Sequence, residues 1–286
     1  MRLLVTGASG FTGRYLVAAA RARGHEVIAL QAQLEDRLAV KAEVLQAAPE
    51  LVLHLAAIAF VGHADAHAFY DVNVIGSVNL LDALASLPQP PRSVLLASSA
   101  NVYGNCRSSP IAESQAPAPV NHYAMSKLAM EIMGRNYLDR LPLFFTRPFN
   151  YTGAGQSESF VLPKLVAHFA RRAAAVELGN LDVEREFNDV HFVCDAYLEL
   201  MERAVPGEVY NICTGQPVTL TAVIALLEQI TGHRMQVNVN PAFVRANEIA
   251  RLCGDPRKLN ELIGAVATPS LRSTLEHMLS QAVTVS

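Results

Sequence analysis

The chain opens MRLLVTGASGFTGRYL, and the three glycines Gly7, Gly10 and Gly13 restrict its fold more than any other feature. Glycine loses the most backbone freedom on folding and costs roughly 0.5–1 kcal/mol inside a helix or strand. A fixed triplet therefore marks a place from which side chains are excluded. Leu3, Leu4 and Val5 read as a short buried strand, and Tyr15, Leu16, Ala18, Ala19 and Ala20 as the apolar part of a helix ending near Gly24. The triplet thus lies on a strand-to-helix turn. Such a turn presents unpaired N–H groups at the positive end of a helix dipole, and the missing side chains let a pyrophosphate approach the backbone. A second apolar strand, His25 to Leu30, follows at βαβ distance. Dinucleotide binding is the expectation, and an ordinary tight turn the alternative.

The alternation continues. A helix is expected from about Arg37 to Ala48, a strand over Leu51 to Leu55, a long helix from about Asp65 to Leu87 and a strand over Ser93 to Ser98. A helix from about Tyr123 to Arg140 and a strand from Leu143 to Thr146 complete the series. Apolar strands alternating with helices imply an α/β fold, a doubly wound parallel sheet covered on both faces. Beyond residue 150 the texture changes to Gly, Asn and Pro punctuation (TGAGQ, LGNLD, TGQPVT, VNPAF). Residues 1–150 are therefore expected to form a Rossmann domain, and 151–286 mainly a smaller substrate-binding lobe. Glu208 to Cys213 reads as a further strand, so about 189–214 is expected to return to the main sheet.

Bulk properties exclude some classes. A net charge of -3 without a basic tract argues against nucleic-acid binding. Cys106, Cys194, Cys213 and Cys253 form no CxxC pair and read as small buried residues of a reducing compartment, with no metal site expected. No apolar run approaches the ~18 residues of a membrane span, and the first residues already belong to a core strand, so a cytoplasmic location is expected.

Chemistry is carried by HYAMSK, which sets Tyr123 and Lys127 four apart on one helix face, their Cβ atoms about 6 Å apart. Upstream, LLASSANVYG puts Ser98 and Ser99 at the carboxyl end of a strand, where open α/β sheets bind ligands. Moving a tyrosine pKa from ~10 towards ~7 requires about 4 kcal/mol of phenolate stabilisation. A cation ~4 Å away in an effective dielectric of ~20 supplies about that much. Lys127 is thereby expected to lower the Tyr123 pKa, with a serine holding the substrate oxygen while Tyr123 gives or takes a proton.

With these pieces assembled, the chain resembles the extended short-chain dehydrogenase/reductase family, nucleotide-sugar branch. TGASGFTG, HLAA (His54 to Ala57), DVNVIGSVNLL, SSANVYG, YAMSK, RPFNYTGAGQ, GNLDVEREFNDV and RANE follow in the family's order over nearly the whole chain. The resemblance implies Ser99, Tyr123 and Lys127 as the catalytic set. It further implies that NADP or NAD is lined by Gly7, Gly10, Phe11, Thr12, Gly13, Leu55, Ala56, Ala57, Asn73 and Pro148, with Tyr123 and Lys127 also reaching it. The run RPFNYTGAGQSESFV is similar to that of the GDP-4-dehydro-6-deoxy-D-mannose reductases. By that likeness Ser99, Asn150, Arg185, Arg245 and Glu248 hold a nucleotide-diphosphate sugar, and a homodimer is expected. Arginine suits a diphosphate because its planar fork donates in pairs, and a carboxylate suits ribose hydroxyls.

Three features depart from the pattern. Gln31, Ala32 and Gln33 end the second strand where an acid would select NAD or an arginine NADP, leaving cofactor choice open unless Arg14 or Arg37 folds back. The stretch from Leu30 to Arg37 is short. Asn101 stands where 4,6-dehydratases of this branch, and the mannose reductases, carry an acid, which makes elimination of water less plausible. The expected activity is NAD(P)H-dependent reduction of a C4 ketone, forming GDP-rhamnose. A 4-epimerase with retained NAD and a non-catalytic dinucleotide sensor are the alternatives.

Overall fold

The computed structural model describes residues 1–61, 65–106, 108–243 and 249–284. Six parallel strands form the central sheet in the order β10-β5-β4-β3-β1-β2. These are β1 (Arg2–Thr6), β2 (Glu26–Ala29), β3 (Leu51–His54), β4 (Ser93–Ala97), β5 (Leu143–Pro148) and β10 (Val209–Ile212). Strand β10 pairs with β5 from Val209 opposite Phe145 to Ile212 opposite Pro148, so the chain comes back to the sheet after leaving it at β5. One face is covered by α1 (Phe11–Ala22), α7 (Val190–Arg203) and α9 (Arg257–Ile263), whose apolar sides meet Leu3, Val5, Leu53 and Leu95. The other is covered by α2 (Arg37–Ala47), α4 (Gly76–Ala85) and α5 (His122–Arg135), packed on Leu4, Val52, Leu96 and Phe145. A sheet buried on both faces explains why its strands read as continuous apolar runs.

The remaining elements sit at the carboxyl edge of this sheet. Two-residue strands β6 (Tyr151–Thr152) and β9 (Asn188–Asp189) pair with each other, and β7 (Ala175–Leu178) pairs with β12 (Gln236–Val239). Strand β8 (Glu184–Arg185) lies between β11 (Val218–Thr219) and β13 (Arg251–Leu252). Helices α6 (Val161–Ala170), α8 (Leu220–Thr231) and α10 (Leu271–Thr284) enclose a separate apolar cluster around Leu165, Phe169, Val223 and Leu275.

Two helices depart most from the sequence reading. The long helix expected from Asp65 to Leu87 is three pieces: α3 (Ala66–Tyr70), one wide π turn (Asp71–Ile75) and α4. The wide turn carries Asn73, whose carbonyl accepts from the Ser77 hydroxyl at 2.7 Å and whose amide is fully engaged elsewhere, as π turns at functional positions often are. Helix α5 stops at Arg135 rather than Arg140, because Tyr137 and Leu141 turn into the core and the Tyr137 hydroxyl donates to Asp82 at 2.8 Å.

A chain of buried hydrogen bonds ties the first turn to the third strand and the π turn. The Ala56 N–H donates to Thr6 Oγ1 at 3.0 Å, Thr6 Oγ1 lies 2.7 Å from His54 Nδ1, and His54 Nε2 lies 2.8 Å from Ser77 Oγ. Ser77 spends its only proton on the Asn73 carbonyl, so His54 Nε2 must carry hydrogen and Nδ1 must accept from Thr6. His54 is 1% exposed, and burial followed by the Lys127 charge lowers its pKa to about 3. The unfolded chain binds a proton on this imidazole near pH 6.5 and the folded chain does not until about 3. Its contribution to stability is therefore complete above pH 6.5 and is lost as pH falls from there, at about 1.4 kcal/mol per unit of difference. Urea unfolding at pH 7 and pH 4.5 should show a large loss for the native chain and a clearly smaller one for His54→Gln; equal losses would contradict this role.

Candidate active site

The glycine turn closes tightly. Gly7 has φ +70°, and a Cβ there would lie 2.8 Å from the Ala56 nitrogen. A Cβ on Gly13 would lie 2.1 Å from the Gly7 carbonyl oxygen, whereas one on Gly10 would meet only that oxygen, at 3.2 Å. Gly10 caps α1 without a side-chain hydrogen bond, which leaves the first-turn N–H groups to a ligand. Thr12 is tied through its hydroxyl to the Tyr151 phenol at 2.8 Å, and Phe11 stacks on the same ring. Leu55, Ala56 and Ala57 follow β3 beside this turn, and Pro148 ends β5. A backbone cradle closed to side chains at Gly7 and Gly13 and open at Gly10 fits a dinucleotide pyrophosphate.

At the end of β2 the Gln31 N–H donates to the Glu43 carboxylate at 2.8 Å, and the Gln31 side chain folds onto the Ala29 carbonyl. Neither arginine considered from sequence turns there. Arg14 donates to the Gly155 carbonyl at 3.1 Å, and Arg37 faces Asp82 at 3.5 Å.

Helix α5 brings Tyr123 and Lys127 inward, and both are nearly fully buried. Its start is fixed by Asn121, whose side chain accepts from the Ala124 N–H at 2.8 Å. The Lys127 ammonium donates to the Ala97 carbonyl at the end of β4, at 2.7 Å. One turn on, Glu131 receives two hydrogen bonds from Arg147 of β5, at 3.0 and 2.6 Å, with both side chains buried. Burial lowers the Lys127 pKa to about 8, with Glu131 acting the other way, so the group is mostly a cation at neutral pH. Ser126 links the same helix to the π turn: it donates to the Tyr123 carbonyl and accepts from the Asn73 amide at 3.0 Å.

Ser99 is buried two residues past β4, at the carboxyl edge of the sheet. It opens a short 3₁₀ turn over Ala100–Tyr103, and its hydroxyl favours the ionised form of Tyr123. The expected lowering of the Tyr123 pKa is not what the structure shows. Burial raises it, Ser99 opposes that rise, and the lysine is turned to Ala97 instead. A phenol held protonated beside a serine hydroxyl is a loaded proton donor.

The other positions are distributed around this centre. Asn150 is exposed after β5, and its carbonyl accepts from the Asn188 N–H at 2.9 Å. Arg185, on β8, folds its guanidinium onto the carbonyls of Ile249 and Ala250. Arg245 and Glu248 lie outside the described residues, in the segment immediately before Ile249. Sequence reasoning missed Glu186. This carboxylate has no exposed surface and accepts from the N–H groups of Gly254 (2.6 Å), Thr214 (2.7 Å) and Gly215 (3.2 Å), stitching the end of β10 to the turn after β13 beside Arg185. Burial raises its pKa and those donors oppose the rise. Its only sequence signal was an acid inside the run REFNDV. Among the described residues no group of three His, Cys, Asp or Glu side chains could hold a metal ion, and no helix is long and apolar enough to cross a membrane.

Residues 3–213 match the model of the NAD dependent epimerase/dehydratase family. The chain belongs to that family. It is an NAD(P)-dependent oxidoreductase of the extended short-chain dehydrogenase/reductase type. It is 37% identical to GDP-6-deoxy-D-talose 4-dehydrogenase of Aggregatibacter actinomycetemcomitans over 97% of either chain. It is 33% identical to GDP-6-deoxy-D-mannose reductase of Pseudomonas aeruginosa, covering 98% of this chain and 96% of the relative. The structure of RMD from Pseudomonas aeruginosa complexed with NADPH superposes with a TM-score of 0.93, with 31% identity over 100% of this chain and 99% of that one.

If the turn is a pyrophosphate cradle, Gly10→Val should keep a native circular dichroism spectrum and bind NADH and NADPH at least about tenfold more weakly by calorimetry. Gly13→Val should fail to fold natively, and unchanged affinity in Gly10→Val would contradict the cradle.

Proposed function

We propose that this enzyme reduces the C4 ketone of a nucleotide-diphosphate 4-keto-6-deoxyhexose, with GDP-4-dehydro-6-deoxy-D-mannose as substrate and GDP-D-rhamnose as product. The observation that carries the reading is the burial of Tyr123 and Lys127 on one face of α5, with Lys127 bound to the Ala97 carbonyl where β4 ends and buried Ser99 follows, at the carboxyl edge of the sheet that bears the glycine turn. The names of the relatives support it, since both concern a GDP-linked 6-deoxyhexose and its oxidation or reduction. Gly7, Gly10 and Gly13 would hold the dinucleotide pyrophosphate, and the reduced nicotinamide supplies a hydride when bound. Ser99 donates a hydrogen bond to the ketone oxygen and Tyr123 gives that oxygen its proton, while Lys127, held by the Ala97 carbonyl, would reach the nicotinamide ribose. Asn150 and Arg185, with Arg245 and Glu248, would hold the nucleotide diphosphate.

The relative that is 37% identical favours a second product, the C4 epimer with the talo configuration. Both readings are tested by incubating the enzyme with GDP-4-dehydro-6-deoxy-D-mannose and either NADH or NADPH. Loss of nicotinamide absorbance is expected, with a product whose large H3–H4 proton coupling identifies the rhamno configuration; a small coupling would identify the talo sugar. Tyr123→Phe should bind cofactor normally and turn over about 100-fold more slowly or worse. Failure of the native enzyme to oxidise either cofactor would overturn both readings.

A further inference from the structure

Ser99 is asked to donate in the mechanism above, yet a hydroxyl can equally well accept. The structure shows what decides between the two. Ser99 Oγ accepts from the backbone N–H of Asn101 at 3.2 Å and from the Asn101 side-chain amide at 3.1 Å. A serine hydroxyl has two lone pairs and one proton. Both lone pairs face donors from the same residue, on the turn that Ser99 itself caps. Ser99 is 5% exposed, so its hydroxyl is largely screened from bulk water. The proton is left on the side away from Asn101, and Tyr123 is the group whose ionisation the Ser99 hydroxyl favours.

We propose that Asn101 is a positioning residue that fixes the Ser99 hydroxyl as a one-way donor, towards the ketone oxygen before reaction and towards the Tyr123 phenolate after it. The role in turnover rests on the reductase reading; the polarity of the hydrogen bond does not. When Tyr123 hands its O–H proton to the substrate oxygen, the electron pair stays on the phenolate oxygen. The Ser99 proton is already aimed there, and a hydrogen bond to the charged form favours that form. A carboxylate at position 101, nearly the same shape as the amide, would act in the opposite sense. It offers no N–H from its side chain and is a stronger acceptor than a phenol, so it would capture the Ser99 proton and leave Tyr123 without it. The amide–carboxylate difference at this one position therefore sets the direction of the serine hydrogen bond.

The test uses the full chain with its tyrosines replaced biosynthetically by 3-fluorotyrosine, whose phenol ionises at lower pH and is read by fluorine NMR. Loss of one resonance in Tyr123→Phe assigns that residue, and the other tyrosines report the integrity of the fold. Asn101→Asp should raise the Tyr123 midpoint by about one pH unit or more. Asn101→Leu, which removes the donor without adding charge, should raise it less, and it carries the test should the aspartate variant not fold. In a Ser99→Ala background the effect of Asn101→Asp should shrink to less than half. An unchanged midpoint in Asn101→Asp, or a rise that persists in full without the Ser99 hydroxyl, would overturn the proposal. None of these readings depends on turnover, so an inactive native enzyme would refute the reductase reading alone.

Discussion

Helix α5 carries a lysine and a glutamate into the core, and the placement of the site depends on how those two charges are satisfied. Burying an unpaired ion costs several kcal/mol, which restricts the helix to positions where each charge finds its partner. Lys127 finds the Ala97 carbonyl at the end of β4, and Glu131 finds both donors of Arg147 on β5. Two contacts one turn apart, on adjacent strands, fix the helix in translation and rotation. Tyr123, one turn before Lys127, is thereby buried near the carboxyl end of β4, which Ser99 follows. Removing Glu131 or Arg147 alone would leave a buried charge uncompensated, so the pair serves register as much as stability.

A second network holds the cofactor side in line with the first. The hydrogen bonds from Ala56 through Thr6, His54 and Ser77 end on the Asn73 carbonyl, and the Asn73 amide reaches Ser126 on α5. The glycine turn after β1, the loop after β3 and the helix bearing Tyr123 are thus joined through buried polar groups, each with a partner. Such a network is rigid because any broken link strands a buried donor or acceptor. Neutral His54 is suited to it, accepting on one ring nitrogen and donating on the other.

The doubly wound sheet, the strand-end place of Ser98 and Ser99 and the shared helix face of Tyr123 and Lys127 were legible in the sequence because their signals are local, while the choice of Ser99 came from the family resemblance. Apolar runs, glycine spacing and the four-residue separation of Tyr123 and Lys127 all lie within a few turns of chain. What was not legible depends on partners distant in sequence. The π turn at Asn73 is held by Ile58 and Ser126, and Glu186 by Thr214, Gly215 and Gly254. The direction of the Tyr123 shift was misread for the same reason. Helical spacing brings Lys127 to the same face as Tyr123, but only the fold shows how deeply the phenol is buried and that the ammonium turns to Ala97. At the end of β2, the carboxylate that meets Gln31 comes from Glu43, far along the next helix.

On the proposed reading, these buried contacts arm Tyr123 as a proton donor for net reduction at a sugar C4 carbon. That reading is tested most directly by supplying NADH or NADPH deuterated at the transferable position of the nicotinamide, with GDP-4-dehydro-6-deoxy-D-mannose in ordinary water. One deuterium at C4 of each product molecule is expected, matched by one oxidised cofactor. A product without deuterium at C4, or one formed without net oxidation of the cofactor, would contradict it.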